Sequence, residues 1–70
     1  LIRRCVKMTV FINSTNEFIE QPKVADGASN LIHDIFGVNG NHTRSAVSVN
    51  SLPKNSSVEI DSIFEIAIER

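Results

Sequence analysis

The sequence has no tryptophan and no tyrosine, and its 70 residues include one cysteine, two prolines and three glycines. The lone Cys5 excludes an internal disulfide and a metal cluster built from several thiolates. It favours a reducing, intracellular setting. Because Cys5 lies in an alternating apolar segment, it is predicted to be a buried structural thiol rather than a nucleophile. The four phenylalanines offer little for stacking nucleic-acid bases.

The sequence also lacks a large excess of charge of either sign, and it lacks long apolar runs. Seven basic and eight acidic residues are mixed along the chain, for a net charge of −1. Without a basic stripe, a nucleic-acid partner is not expected. No apolar run approaches the roughly 20 residues of a membrane helix, and we predict a cytoplasmic protein. His33 and His42 are not at metal-ligand spacing, and no glycine-rich phosphate loop is present, so neither a metal nor a cofactor is expected.

The length allows one domain, residues 1–70. A chain this short buries only about 60% of the surface that its unfolded form exposes, so it is marginal alone. It begins at Leu1, within a segment that already has a strand pattern. We therefore expect a fragment, or a subunit that relies on its neighbours.

Hydrophobic periodicity predicts the order strand, helix, strand, strand, which is an α+β arrangement with a helix on one face of a sheet. The first strand, residues 5–12, has Val6, Met8, Val10 and Ile12 on one face. A helix follows at about residues 22–36, with Pro22 in its first turn and Gly37 as a left-handed cap. Its apolar stripe is Val24, Ala28, Leu31, Ile32, Ile35 and Phe36. Strands are predicted at 44–50 and 58–68, antiparallel if they are neighbours.

Arg44 and Glu59 each begin a strand with alternating apolar residues. Alternation places both on the sheet face opposite the larger apolar set, which predicts one shared cleft. Arginine suits binding of a carboxylate because its planar fork donates two parallel hydrogen bonds. Glutamate suits orienting a water molecule and accepting its proton. From the pattern alone, an ordinary salt bridge or two solvated charges remains the alternative.

Two segments carry a family resemblance: "VKMTVFINSTNEF" and "TRSAVSVNSLPKNSSVEIDSIFEIA". The ordered combination of an arginine-serine pair, alternating valines, "LPK" and "VEI" resembles the C-terminal half of the YjgF/YER057c/UK114 family. This is also called the Rid family of enamine and imine deaminases, and is associated with the name endoribonuclease L-PSP. The resemblance implies a chorismate-mutase-like fold and homotrimers with ligand clefts between subunits.

It also implies an activity: hydrolysis of reactive 2-imino and 2-enamino acids to 2-keto acids and ammonia, without a cofactor. By the same resemblance, Arg44 would hold the substrate carboxylate and Glu59 would position or activate water. Three positions depart from the family pattern, namely Ala46 for a common cysteine, Pro22 for a common asparagine, and His42 for a proline. The alternatives are a small-molecule-binding or regulatory module without turnover, and an endoribonuclease or translation inhibitor.

Overall fold

The computed structural model describes residues 1–68. They form three strands, one α-helix and two short 3-10 turns. In chain order the elements are β1 (Ile2–Asn13), α1 (Gln21–Phe36), the first turn (Gly37–Gly40), β2 (Thr43–Val49), the second turn (Pro53–Asn55) and β3 (Val58–Ile66). The predicted α+β order of strand, helix, strand, strand is confirmed.

The sheet has the order β2-β1-β3, so the first strand lies at its centre. β2 runs parallel to β1, and α1 forms the crossover between them. β3 runs antiparallel to β1. The last two strands are therefore not neighbours, and the condition on which we predicted their antiparallel pairing is not met.

Alternation in β1 builds the core. Met8, Val10 and Ile12 are almost fully buried and cluster with Ala25 of the helix. They belong to the face that the sequence predicted to be buried. Cys5 is buried as well, as expected for a structural thiol.

The helix begins one residue before the predicted start and ends at Phe36 as predicted. Gly37 follows with φ 61° and ψ −136°. Its positive φ is the feature expected of the cap, but its ψ differs from that of the left-handed helical region. Gly37 donates its backbone N–H to the carbonyl of His33, which closes the last turn.

The apolar stripe of the helix is rotated relative to the prediction. Ala25, Ala28 and Ile32 pack on the core, and Phe36 contacts Phe64 of β3 with ring centroids 5.8 Å apart. The other three members of the predicted stripe are exposed instead: Val24, Leu31 and Ile35. Small side chains on the contact face let the helix lie close to the sheet, which turns the larger residues outward.

The sheet thus has a covered face, on the side of α1, and an open face. The register pairs Arg44 with Met8, Ala46 with Val10 and Ser48 with Ile12, so these β2 residues belong to the covered face. Val47 pairs with Phe11 and lies on the open face. This reverses the predicted orientation of β2, in which the valines were assigned to the larger apolar set.

Candidate functional site

Arg44 lies on the covered face at the start of β2, where its guanidinium reaches the side of α1. Its Nη2 is 2.8 Å from Oδ1 of Asp26, and its Nη1 donates a hydrogen bond of 3.0 Å to Oγ of Ser29. A weaker contact of 3.4 Å joins Nη2 to the carbonyl oxygen of Pro22. The side chain is 27% exposed, so a charged fork is held in place while part of it still faces solvent.

Ser29 also contacts His42, the second residue before Arg44. The Oγ of Ser29 lies 3.0 Å from Nε2 of His42. The other ring nitrogen, Nδ1, lies 2.6 Å from the backbone oxygen of Gly40. Arg44, Ser29, His42 and Gly40 therefore form one continuous chain of hydrogen bonds between the helix, the first turn and β2.

These groups line a polar cleft of about 440 Å³. The volume falls within the range of small-molecule sites. Its walls come from the middle of the helix and from the loop that leads into β2: Asp26, Ser29, Asn30, His33, Gly40, Asn41, His42 and Arg44. The cleft contains one arginine, one aspartate, two imidazoles, one hydroxyl and two amides. It suits a small anionic ligand that replaces the aspartate beside the arginine.

Glu59 lies elsewhere. It pairs with Phe11 and is exposed on the open face, while Arg44 pairs with Met8 on the covered face. Two strand spacings and three residue steps put their Cα atoms roughly 14 Å apart. The prediction that both side chains face one cleft is therefore wrong within a single chain, because β2 has the opposite orientation to the one that alternation suggested.

The positions that depart from the family pattern fall into different surroundings. Ala46 packs against the core cluster, on the face of Arg44 and under the helix. Pro22 contributes a backbone oxygen to Arg44, and His42 lines the cleft itself. Of the three, His42 brings the greatest change in chemistry, since an imidazole can carry a proton and a proline cannot.

Sequence reasoning missed Ser29 and Asp26 and assigned His42 to a loop without a role. Ser29 and Asp26 are three residues apart on the helix, and Ser29 is 13 residues from His42. The available signal was the departure at position 42. His42 stands two residues before Arg44, where the family commonly has a proline. Such a replacement indicates an additional polar side chain near the guanidinium.

Two further findings concern residues 1–68. Within this range no helix has the length and apolar character needed to cross a membrane. In the same residues, no three side chains of histidine, cysteine, aspartate or glutamate are grouped so that they could hold a metal ion.

The fold and the cleft define a small α+β domain with an arginine-centred polar site. The model of the family described as Endoribonuclease L-PSP matches residues 2–66. The chain belongs to this family, which confirms the resemblance found in the sequence.

Known relatives agree with this assignment. Protein TCP17 of Trypanosoma cruzi is 47% identical over 66 residues, which cover 93% of this chain and 41% of TCP17. The crystal structure of Atu1372 from Agrobacterium tumefaciens, a protein with unknown function, is 52% identical with a TM-score of 0.93, covering 96% of this chain and 43% of that one. A putative endoribonuclease from Shewanella oneidensis MR-1 is 32% identical with a TM-score of 0.87, covering 93% and 43%. This chain thus spans about two-fifths of the length of these relatives.

Proposed function

We propose that the protein is an enamine and imine deaminase, a hydrolase that converts reactive 2-imino and 2-enamino acids to 2-keto acids and ammonia. The observation that carries the proposal is the placement of Arg44. Its guanidinium is fixed by Ser29 and faces a polar cleft of small-molecule size. A planar, permanently charged fork at the wall of such a cleft is suited to a carboxylate ligand.

The ion pair with Asp26 supports the same assignment. Oδ1 of Asp26 lies 2.8 Å from Nη2 of Arg44, so a carboxylate oxygen already occupies a hydrogen-bonding position at the guanidinium. A substrate carboxylate would take a similar position, at the outer, partly exposed side of the arginine. The cleft would then hold the imine carbon among hydroxyl, amide and imidazole groups.

The chemistry needs little more than positioning. With the carboxylate fixed, water attacks the imine carbon to give a carbinolamine, which then loses ammonia and leaves the keto group. Holding the reactants together makes the attack effectively intramolecular. These imines also hydrolyse without help, so a modest acceleration suffices and no cofactor is required.

Glu59 is proposed to orient the attacking water, but from a neighbouring subunit. Since it lies on the face opposite Arg44, a shared site requires a second chain. We therefore propose a homotrimer in which the open face of one subunit adjoins the Arg44 cleft of the next. Val47 and Ile63 on that face are 43% and 55% exposed, which gives the open face apolar surface for assembly.

Cleavage of RNA is a second candidate, and the family's description as an endoribonuclease favours it. A histidine beside an arginine is also compatible with phosphate chemistry. Against it stands a net charge of −1, because contacts to phosphates supply most of the affinity for nucleic acids. A non-catalytic binding module is the third candidate, and it would use Arg44 in the same way without turnover.

The test is a coupled assay with the purified protein. An amino-acid oxidase generates the imine, semicarbazide traps what remains, and a faster loss of the adduct reports hydrolysis. We expect wild type to accelerate hydrolysis, Arg44→Ala to abolish the acceleration, and Arg44→Lys to recover little of it, because lysine lacks the planar fork. Arg4→Ala is the matched control, since Arg4 forms an exposed pair with Glu65 remote from the cleft.

Each candidate has its own result. Ligand binding that needs Arg44, without turnover of several imines, would favour the binding module. Salt-dependent cleavage of RNA that is lost in Arg44→Ala would favour the nuclease. If Arg44→Ala kept full deaminase activity, the proposed role of the arginine would be wrong.

A further inference from the structure

We propose that Ser29 and His42 form a proton relay at the Arg44 cleft, which moves a proton from the attacking water to the departing nitrogen. This inference rests on the proposed deaminase function and assigns that reaction two further residues. It addresses a requirement that Glu59 of the same chain cannot meet, because that carboxylate lies on the other face of the sheet.

The hydrogen bonds determine the direction of the relay. The carbonyl oxygen of Gly40 can only accept a hydrogen bond, so Nδ1 of His42 carries a proton at their 2.6 Å contact. In the neutral ring Nε2 is then a free acceptor, and the hydroxyl of Ser29 donates to it across 3.0 Å. Arg44 donates to the same hydroxyl oxygen. The hydroxyl thus lies between a cation and a base.

The fold holds the carbonyl end of this chain in place. Gly40 is buried in the turn, and a Cβ atom built on it would lie 2.6 Å from the carbonyl oxygen of Ile32. The turn therefore packs directly on the backbone of the helix, at a distance that only glycine permits. With Gly40 fixed, the orientation and tautomer of His42 are fixed too, which is the role of the third group in a base-orienting arrangement.

The proton balance is complete with these groups. The reacting form is the protonated imine. As water attacks its carbon, a water proton passes to Oγ of Ser29 while the serine proton passes to Nε2, which gives a neutral carbinolamine and an imidazolium. The imidazolium then returns a proton through Ser29 to the amino nitrogen. As the C–N bond breaks, the hydroxyl proton of the carbinolamine passes to the departing ammonia, and ammonium and the keto acid leave.

The relay predicts a distinct pH dependence. Nε2 accepts a proton only while the ring is neutral, so the relay stops once acid has protonated the ring. Turnover should therefore fall when the solution is made acidic. The charged and titratable groups that line the cleft with His42 are Asp26, Arg44 and His33, and all three are kept unchanged in the variants.

The experiment measures kcat and KM for imine hydrolysis from pH 5 to 9, in wild type and four variants. His42→Gln and Ser29→Ala remove one relay member each, while Ser29→Thr keeps the hydroxyl. Arg4→Ala is the matched control, because Arg4 lies outside the cleft in an exposed pair with Glu65. General acid–base groups typically contribute factors of about 10² to 10⁴. Since these imines hydrolyse readily, we expect kcat to fall by roughly 100-fold, the low end of that range.

The relay is supported if His42→Gln and Ser29→Ala both lower kcat with little change in KM and flatten the acidic limb of the profile, while Ser29→Thr restores activity. It is overturned if wild type hydrolyses imines through Arg44 but His42→Gln retains the wild-type kcat and profile; the deaminase function then stands. If wild type does not accelerate hydrolysis, the proposed function and the relay fail together. Nitrogen NMR gives a separate check, since a His42 ring protonated at Nε2 and bare at Nδ1 overturns the relay.

Discussion

The guanidinium of Arg44 is paired within its own chain, because its Nη2 lies 2.8 Å from a carboxylate oxygen of Asp26. Arg44 is 27% exposed and Asp26 is 56% exposed. Partly exposed pairs of this kind contribute on the order of 0–1 kcal/mol. A ligand carboxylate that approaches Arg44 must therefore compete with Asp26, and the competition is weak enough to be overcome by binding.

Asp26→Asn is expected to improve the binding of anionic substrates. The amide keeps the size of the side chain but removes the competing charge. Since about 1.4 kcal/mol corresponds to tenfold, the loss of a pair worth up to about 1 kcal/mol should lower KM by as much as about fivefold. The expected kcat is unchanged. Steady-state kinetics, and titration with a 2-keto acid product, would measure this effect.

The control for that variant is Glu20→Gln, which removes a carboxylate paired with Lys23 at 2.9 Å near the start of the helix. It should leave KM unchanged. A higher KM in Asp26→Asn would show that the aspartate orients Arg44 for its ligand, which would contradict its role as a competitor.

Strong local patterns made the fold predictable. β1 alternates over most of its length. Three of the four residues predicted on its buried face, Met8, Val10 and Ile12, form the core, whereas Val6 is half-buried. The helix has a proline in its first turn and a glycine after its last residue, and its bounds agree with the prediction to within one residue. The strand order was not predictable from these signals, because periodicity does not specify which strand occupies the centre.

The face of Arg44 was not predictable from its own strand. In β2 the valines occupy one face, and arginine, alanine and serine occupy the other, so apolar content alone assigned the valines to the core. The strand register shows the opposite orientation, because Ala46 is paired with the buried Val10 and therefore shares its covered face. A helix that packs through Ala25 and Ala28 favours a small residue beneath it, and the covered face therefore has the smaller side chains of β2.

The polar chain from Arg44 to Gly40 was also beyond pattern reasoning. Its members lie on the helix, the turn and the strand, and the tight packing of Gly40 on Ile32 brings them together. No periodicity links Ser29 with His42, since their contact is tertiary. The departure at position 42 was visible in the sequence, but its consequence required the position of the helix.

Two glycines provide a matched pair of stability predictions. Gly40→Ala places a methyl group 2.6 Å from the carbonyl oxygen of Ile32, so the turn or the helix must shift. Overpacking of this kind typically costs about 1–3 kcal/mol. Because the shift moves the carbonyl that orients His42, kcat should also fall. Chemical denaturation and the deaminase assay would measure the two effects.

Gly27→Ala is expected to have the opposite effect on stability. Among residues 1–68, no atom lies within 4 Å of a Cβ atom built at this position in the helix. Alanine should therefore raise the free energy of unfolding by about 0.5–1 kcal/mol, through better helix propensity and a less flexible unfolded chain. If both alanine variants were destabilised equally, the close approach at Gly40 would not explain the first result.

Ile63 tests the assembly that the proposed site requires. It lies on the open face in the register of Lys7 and is 55% exposed. If this face joins subunits, Ile63→Lys should reduce the molecular mass measured by light scattering and lower turnover, while the circular dichroism spectrum is retained. Ile35→Lys is the matched control, since Ile35 is 61% exposed on the helix. Dissociation by the helix variant alone would place the interface on the other side of the molecule.

The separation of Arg44 and Glu59 on opposite faces leads to a complementation experiment. If each site takes its arginine from one subunit and its glutamate from the next, neither Arg44→Ala nor Glu59→Gln is active alone, but mixed trimers regain some sites. In a head-to-tail ring with random mixing of equal amounts, about one quarter of the sites receive both intact residues. Co-expression with two affinity tags would isolate the mixed trimers, and the coupled assay would report their activity.

The outcome distinguishes two arrangements of the site. If both residues served one site from the same chain, every site in a mixed trimer would contain one of the two substitutions, and activity would stay at the level of the single variants. If the Glu59→Gln variant were fully active by itself, the glutamate would have no role in the mechanism. Ser29 and His42, whose Oγ and Nε2 atoms lie 3.0 Å apart, would then transfer the proton without a carboxylate that orients the water.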